Sequence, residues 1–174
     1  RPPSIFLTNH SSTLDFFVLM SSMPDFTCGV GKKEMARVPF IGQLYALSGH
    51  LLIDRRRPER AHQSLAEAAD FAVREGFSIW LTPEGTRSRD GALGPFKKGF
   101  VHLALATGFP VTPVLLHGAS TLWPMGTWRL TPGCVEIEVL EPVDTLSWSL
   151  ETIETHVDHL RGIFVEHLDR GGDS

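Results

Sequence analysis

The chain has 174 residues, of which 42% are hydrophobic and 21% charged, a composition typical of a globular protein with one sizeable core. The formal net charge of −4 at pH 7 argues against a nucleic-acid surface and makes any local arginine or lysine cluster a candidate anion site. Two cysteines are too few for a disulfide framework, so a cytoplasmic setting is expected.

Membrane segments and leader sequences leave no clear trace in this chain. No apolar run approaches the roughly 18–20 residues of a membrane span, and no signal peptide is recognisable. The longest apolar stretch, residues 38–47, is interrupted by Pro39, Gly42 and Gln43. The chain begins with Arg1 rather than Met, which is compatible with an upstream segment. We expect no transmembrane helix within it.

Strands and helices are predicted to alternate along the first half. The strands cover residues 4–8, 26–30, 50–54 and 77–81, and the helices cover residues 12–23, 38–48 and 58–75. Pro58 suits a first helical turn because its fixed φ is already helical. The apolar positions of that helix follow the 3–4 spacing of one buried stripe: Ala61, Leu65, Ala68 and Ala72.

The second half begins with the same pattern and then changes. A helix over residues 96–107 stops at Gly108, and a strand over 111–116 follows. Strands at 128–130 and 135–140 flank Pro132 and Gly133 and predict a hairpin. Apolar residues spaced over 150–164 predict an amphipathic helix. We therefore predict one α/β domain, residues 1–174, with a largely parallel but mixed sheet flanked by helices, a C-terminal hairpin and a final amphipathic helix.

The segment from Asn9 to Asp15 follows the first strand and is the strongest chemical signal. With His10 in the turn before a helix and Asp15 in its first turns, the carboxylate can reach one ring nitrogen. The other nitrogen would then be free to take a proton, as a general base requires. A turn rich in Asn, Ser and Thr is also ordinary helix capping, so the pair alone leaves both interpretations open.

Two further segments place cations after predicted strands, where ligands commonly bind in α/β sheets. Arg55 comes first after the third strand, and its forked guanidinium suits bidentate phosphate recognition. The arginines that follow it, Arg56, Arg57 and Arg60, also fit a solvated charge run. Residues 83–88 follow the fourth strand and contain Glu84, Gly85, Thr86 and Arg87, which fit either a phosphate site or a polar loop with an internal ion pair.

The ordered series His10-x4-Asp15, Asp54-Arg55, residues 83–88 and residues 111–114 resembles the four blocks of the glycerolipid acyltransferases. It is most similar to the bacterial 1-acylglycerol-3-phosphate (lysophosphatidate) acyltransferases. Connecting segments at 33–35, 39–42 and 95–99 match as well. The resemblance covers residues 5–118.

This resemblance implies a reaction and a set of roles. His10 would be the general base and Asp15 its orienting partner, in direct acyl transfer from acyl-CoA or acyl-acyl carrier protein to a lysophospholipid hydroxyl, giving phosphatidic acid. Neither a metal nor another cofactor is implied. The acceptor would be bound by Arg55, Glu84, Gly85, Thr86 and Arg87, and Pro113 would shape a substrate pocket. Backbone N–H groups near Ser11 and Ser12 are our suggestion for stabilising the oxyanion.

The chain departs from the family pattern in two ways. Thr82 replaces an aromatic residue that often precedes Pro83, which leaves the acceptor open, a lyso-amino-acid lipid being the second candidate. The N-terminal membrane helix that many members carry is not in this sequence. Peripheral contact with the inner face of the membrane would then fall to surface residues, with Phe40, Ile41, Trp123, Met125 and Trp128 as candidates.

Three rival interpretations come from other classes of protein. Ser11 or Ser12 as a nucleophile would make a hydrolase, but neither lies in a Gly-x-Ser-x-Gly turn. A zinc site of His10, Asp15, His50 and His62 lacks the spacing of metal ligands. A non-catalytic lipid- or phosphate-binding module would not need the His10–Asp15 pair.

Overall fold

The computed structural model describes residues 2–38, 40, 42–43, 50–53, 58–86 and 92–171. Its strands are β1 (Ile5–Thr8), β2 (Thr27–Lys32), β3 (Leu51–Ile53), β4 (Ser78–Leu81), β5 (Val111–His117) and β6 (Glu136–Val139). Its helices are α1 (Leu14–Ser22), a 3₁₀ helix (Lys33–Arg37), α2 (Pro58–Glu75), α3 (Gly99–Thr107), α4 (Ala119–Leu122) and α5 (Ile153–Gly171). Most of the predicted helix at 38–48 lies outside the described residues.

The six strands form one sheet in the order β3-β2-β4-β1-β5-β6. All neighbouring pairs are parallel except β5 and β6, which run antiparallel. The predicted α/β class with a largely parallel, mixed sheet is therefore confirmed. Because β1 lies between β4 and β5, the residues that follow β1 emerge at the centre of the sheet's carboxyl edge. That edge is where α/β sheets commonly hold ligands.

Side chains alternate between the two faces of the sheet, as the period of a strand requires. Ile5 and Leu7 of β1 join the larger core, which also contains buried residues of α2, α3 and α5. Phe6 points the other way and packs with the smaller cluster of Leu19 and Trp80 beneath α1. Both faces of the central strands are thus covered by helices, which explains why β1 reads as a continuous apolar run.

The helix boundaries follow local chemistry. α2 covers residues 58–75 as predicted, and α3 ends at Gly108, whose φ of 68° is left-handed and whose N–H donates to the carbonyl oxygen of Ala104. α1 begins at Leu14, two residues later than predicted. The delay arises because the backbone of the preceding turn is bonded to a side chain, as described below. Among the described helices, none is long and apolar enough to cross a membrane.

The predicted C-terminal hairpin is wrong. Residues 128–130 form no strand, and β6 pairs instead with the free edge of β5, where Glu138 lies opposite Leu115. The apolar side chains of the predicted strand at 128–130 lie in solvent, with Trp128 97% and Leu130 57% exposed. The backbone N–H of Thr131 donates to the carbonyl oxygen of Leu122, which turns this segment back onto α4.

Helix α5 is held against the sheet by apolar packing and by one carboxylate. Val157, Leu160 and Phe164 are buried in the larger core, which confirms the predicted amphipathic helix. Glu138 of β6 accepts hydrogen bonds from His117 of β5 (3.0 Å) and His167 of α5 (2.8 Å). Burial alone would raise the pKa of Glu138, but the hydrogen bonds from the two histidines lower it overall. The last helix is therefore fixed beside the site edge.

Candidate active site

Some of the predicted site residues lie close together because parallel strands end at one edge of the sheet. His10 lies two residues beyond β1, and Glu84, Gly85 and Thr86 follow β4, the neighbouring strand. His10 and Glu84 are joined by a hydrogen bond, and the structure therefore brings together two segments that are far apart in sequence. Arg55 and Arg87, the two arginines assigned to the acceptor, lie outside the described residues.

Asn9 fixes the path of the chain as it leaves β1. Its side-chain Nδ2 donates to the carbonyl oxygen of Leu116 (3.0 Å), and the N–H of Leu116 donates to its Oδ1 (2.8 Å). The side-chain amide thus replaces a peptide group and extends the pairing between β1 and β5 beyond the end of β1. Because Asn9 is buried, this pair of bonds sets where the turn at His10 begins.

One carboxylate oxygen organises the turn that follows. Oδ2 of Asp15, in the first turn of α1, accepts hydrogen bonds from His10 Nδ1 (2.9 Å) and from the backbone N–H groups of Ser11 (2.7 Å) and Ser12 (2.8 Å). The Asp15 side chain is 0% exposed, so these bonds are shielded from water. The contact predicted between His10 and Asp15 is present. Their catalytic roles stay predictions.

The orientation of His10 leaves one ring nitrogen available. A carboxylate only accepts hydrogen bonds, so Nδ1 carries the proton in the neutral ring and Nε2 holds the lone pair. Within the described residues, Nε2 makes no hydrogen bond. The side chain is 25% exposed and lines two of the cavities described below. The ring can therefore accept a proton from a molecule bound there.

Glu84 connects the same turn to the next loop. Its Oε1 accepts the backbone N–H of His10 (3.0 Å), and its Oε2 accepts the backbone N–H of Gly94 (2.7 Å). Burial raises the pKa of this carboxyl group, and the two backbone donors offset part of that rise. The side chain is only 5% exposed. Its predicted role in acceptor binding stays a prediction, while its observed contacts hold the backbone on both sides.

The suggested oxyanion donors do not fit this geometry, and neither does Ser12 as a nucleophile. The N–H groups of Ser11 and Ser12 donate to Asp15, so the suggestion that they stabilise an oxyanion is wrong. Ser12 is fully buried, and its Oγ donates to the carbonyl oxygen of Trp123 (2.8 Å) and accepts the N–H of Leu14. Its hydroxyl therefore ties the start of α1 to α4, away from His10.

Three cavities open around this edge. The α2 cavity, about 1010 Å³, is lined by apolar residues of α2 and α3 and by Lys32 and Lys97. The α1 cavity, about 400 Å³, lies beneath α1 among Phe16, Leu19 and Trp80. The α5 cavity, about 420 Å³, is bordered by residues of α5. His10 lines the α1 and α5 cavities, whereas Gly85 and Thr86 line the α1 and α2 cavities.

Pro113 lies away from these openings. It is buried in β5 opposite Leu7 of β1 and lines none of the three cavities described. Its carbonyl oxygen accepts the N–H of Leu140, just beyond β6. The missing N–H of the proline therefore falls where the β5–β6 ladder ends, and little pairing is lost. Its predicted role in shaping a pocket stays a prediction.

The zinc alternative is not supported by the described part of the chain. No group of three or more His, Cys, Asp or Glu side chains there is arranged to hold a metal ion. Its proposed ligands are also engaged elsewhere. The ring of His62 contacts His102, and the ring of His50 contacts Trp80.

Two residues of the site were missed in the sequence. Gly94 bonds to Glu84, and a side chain there would meet the carboxylate, because an added Cβ would lie 3.0 Å from Oε2. Arg161 of α5 donates to the carbonyl oxygens of Leu93 and Gly94. Neither residue belongs to a block with recognisable spacing, and only the glycine before Pro95 offered a weak signal.

The part of the sequence that carries this site matches a known family. The family model described as Acyltransferase covers residues 1–117, and the chain belongs to this family. The chain is 42% identical over 165 residues to a 1-acyl-sn-glycerol-3-phosphate acyltransferase of Limnanthes douglasii, covering 95% of this chain and 59% of that protein. It is 36% identical to the protein of the same name from Escherichia coli strain K12, covering 95% and 66%.

A solved structure supports the same relationship. The crystal structure of the 1-acyl-sn-glycerophosphate (LPA) acyltransferase PlsC from Thermotoga maritima matches with a TM-score of 0.77 and 30% identity, over 97% of this chain and 67% of that one. The chain spans less than two thirds of the length of the two relatives from Limnanthes douglasii and Escherichia coli.

Proposed function

We propose that this protein is an O-acyltransferase that moves a fatty acyl group from acyl-CoA or acyl-acyl carrier protein to the free hydroxyl of a lysophospholipid. The preferred acceptor is 1-acylglycerol-3-phosphate, and the product is phosphatidic acid. The observation that carries this proposal is the buried Asp15 carboxylate on His10 Nδ1, which leaves Nε2 facing the cavities. The names of the relatives agree with it.

The chemistry requires one base and two substrates. Nε2 of His10 takes the proton of the acceptor hydroxyl while the hydroxyl oxygen attacks the carbonyl carbon of the thioester. The C–O bond forms, the C–S bond breaks, and the thiolate leaves as a thiol with the proton that His10 accepted. Positioned general-base catalysis contributes about 10² to 10⁴ in rate. We propose that the acyl group passes directly between the substrates, with neither an acyl-enzyme nor a metal or other cofactor.

The cavities suit the two ends of a lysophospholipid and an acyl donor. The apolar walls of the α1 cavity, including Phe16 and Trp80, suit a hydrocarbon chain. Lys32 and Lys97 line the α2 cavity together with Glu34 and Glu84, and the two lysines supply the positive charge for a phosphate there. We assign Arg55 and Arg87 to the same phosphate from their blocks. Gly85 and Thr86 border both cavities and would contact the glycerol between them.

The decisive experiment mixes purified protein with lysophosphatidate and oleoyl-CoA and follows free thiol. We expect acceptor-dependent thiol release together with phosphatidic acid detected by mass spectrometry. Oleoyl-acyl carrier protein in place of oleoyl-CoA identifies the donor, and a panel of lysolipids that includes a lyso-amino-acid lipid identifies the acceptor. Lipid binding without thiol release for any of these acceptors would show that the protein is a binding module.

Arg87 provides a test of the acceptor assignment. Arg87→Ala removes a planar cation that would pair with the acceptor phosphate, so we expect KM for lysophosphatidate to rise about tenfold or more with a small change in kcat. Arg74→Ala is the control, because Arg74 lies exposed at the end of α2 beside Glu75. Unchanged acceptor kinetics in Arg87→Ala would remove Arg87 from the phosphate site.

We also propose peripheral contact with the inner face of the cytoplasmic membrane, where such acceptors reside. Phe40 is 86% exposed, Trp128 is almost fully exposed, and Met125 is partly exposed. Trp123 donates from its ring to the carbonyl oxygen of Thr127 and is a weaker candidate. Ile41 lies outside the described residues. We expect the protein to sediment with anionic phospholipid vesicles and Trp128→Ser to reduce the bound fraction; equal binding by both proteins would exclude Trp128.

A further inference from the structure

Arg161 of α5 reaches from the last helix to the loop that precedes α3. Its Nη2 donates to the carbonyl oxygen of Leu93 (3.3 Å), and its Nε donates to the carbonyl oxygen of Gly94 (3.3 Å). The side chain is half-buried and borders the α5 cavity together with His10. A guanidinium that holds two consecutive carbonyl groups restricts the orientation of both peptide units, including the one that joins Leu93 and Gly94.

That peptide unit connects Arg161 to Glu84. The carbonyl oxygen of Leu93 accepts from Arg161, and the N–H of the same peptide, which belongs to Gly94, donates to Glu84 Oε2 at 2.7 Å. The two groups of a trans peptide point in opposite directions, so the guanidinium lies on one side and the carboxylate on the other. A cation on the oxygen polarises the peptide and strengthens the N–H as a donor.

The chain of contacts ends at the proposed base. The second oxygen of Glu84 accepts the backbone N–H of His10 (3.0 Å). Glu84 is almost fully buried, so its carboxylate has little water with which to replace a lost partner. A shift of the Leu93–Gly94 peptide would therefore move Glu84, and with Glu84 the turn that carries the imidazole.

We propose that Arg161 is a positioning residue for His10, acting through the Leu93–Gly94 peptide and Glu84. This role rests on the proposed acyl transfer, in which His10 is the base. It places a determinant of catalysis on α5, outside the residues 1–117 that the family model covers. Gly94 belongs to the connection as well, because an added Cβ would lie 3.0 Å from Glu84 Oε2, and the carboxylate would have to shift by a few tenths of an ångström.

The test compares Arg161→Gln with Arg170→Gln, an exposed arginine on the same helix that pairs with Glu166. In Arg161→Gln we expect kcat to fall about tenfold to a hundredfold with KM for both substrates unchanged, since a displaced base loses alignment rather than binding. Arg161→Lys should recover part of the loss. Arg170→Gln should match wild type.

A second measurement follows the backbone amide resonance of His10 in ¹⁵N-labelled protein. It should shift in Arg161→Gln and in Gly94→Ala, which disturbs the same connection while Arg161 is intact, and it should not shift in Arg170→Gln. A raised acceptor KM with unchanged kcat would make Arg161 a substrate-binding residue and overturn the proposal, as would an unmoved His10 resonance. If the wild-type protein releases no thiol, the proposed acyl transfer is refuted, but the positioning role is not. The amide resonance of His10 would still decide whether Arg161 positions that residue.

Discussion

His10→Ala is expected to lower kcat for acyl transfer by about 10² to 10⁴, the range that a positioned general base contributes. The substitution removes Nε2, the ring nitrogen that carries no hydrogen bond within the described residues and borders two cavities. Binding of acyl-CoA should hardly change, because the imidazole is only one small part of the lining. Thiol release and isothermal titration with a non-hydrolysable donor analogue would measure the two quantities.

His159→Ala is the matched control for this variant. His159 lies exposed on α5 and lines none of the three cavities described, so its loss should leave turnover unchanged. Circular dichroism would establish that both variants are folded. A His10→Ala protein that keeps turnover within about tenfold of wild type would contradict the assignment of His10 as the base.

Asp15→Asn is expected to give the second large effect, a fall in kcat of about 10² or more with substrate KM values unchanged. Oδ2 of Asp15 accepts three hydrogen bonds. In the proposed mechanism, its negative charge would stabilise the imidazolium formed when His10 takes a proton. Asparagine can retain the oxygen but not the charge. If the amide is turned the other way, its NH₂ group faces the N–H groups of His10, Ser11 and Ser12, and the turn is disrupted.

A double variant sharpens this prediction. If Asp15 acts through His10, Asp15→Asn combined with His10→Ala should be no slower than His10→Ala alone, because residues that act as a unit are not additive. Asp70→Asn, at an exposed position of α2, is the control for the substitution itself. Full additivity of the two changes would show that Asp15 acts independently of His10.

The sequence predicted most of the sheet and the helices because their signals are local. The buried stripe of α2, the glycine that ends α3 and the apolar run of β1 each reflect a period or a backbone preference. The prediction of the hairpin was wrong because it relied on a local signal alone. Residues 128–130 have apolar alternation without a partner strand, and only the three-dimensional structure shows that β6 pairs with β5.

The contacts of the site likewise differ in how far they could be predicted: those between residues close in sequence could be, and those between distant residues could not. His10 and Asp15 are only five residues apart, on either side of a turn between a predicted strand and a predicted helix, and this short separation could indicate their contact. Glu84 lies 74 residues from His10, and a block of polar residues does not show that its carboxylate faces the backbone rather than a ligand. The reach of Arg161 to Leu93 depends on how α5 packs, which no spacing encodes.

The position of β1 in the sheet has a consequence for how the protein is made. β1 precedes its partners β4 and β5 in the chain and leaves the ribosome before them, with Ile5 paired to Ile79 and to Val111. His10 therefore cannot be placed until most of the chain has been synthesised. Such long-range pairing slows folding and leaves apolar strands uncovered in the meantime. The strand that presents the proposed base is thus one whose pairing must wait for the synthesis of β4 and β5.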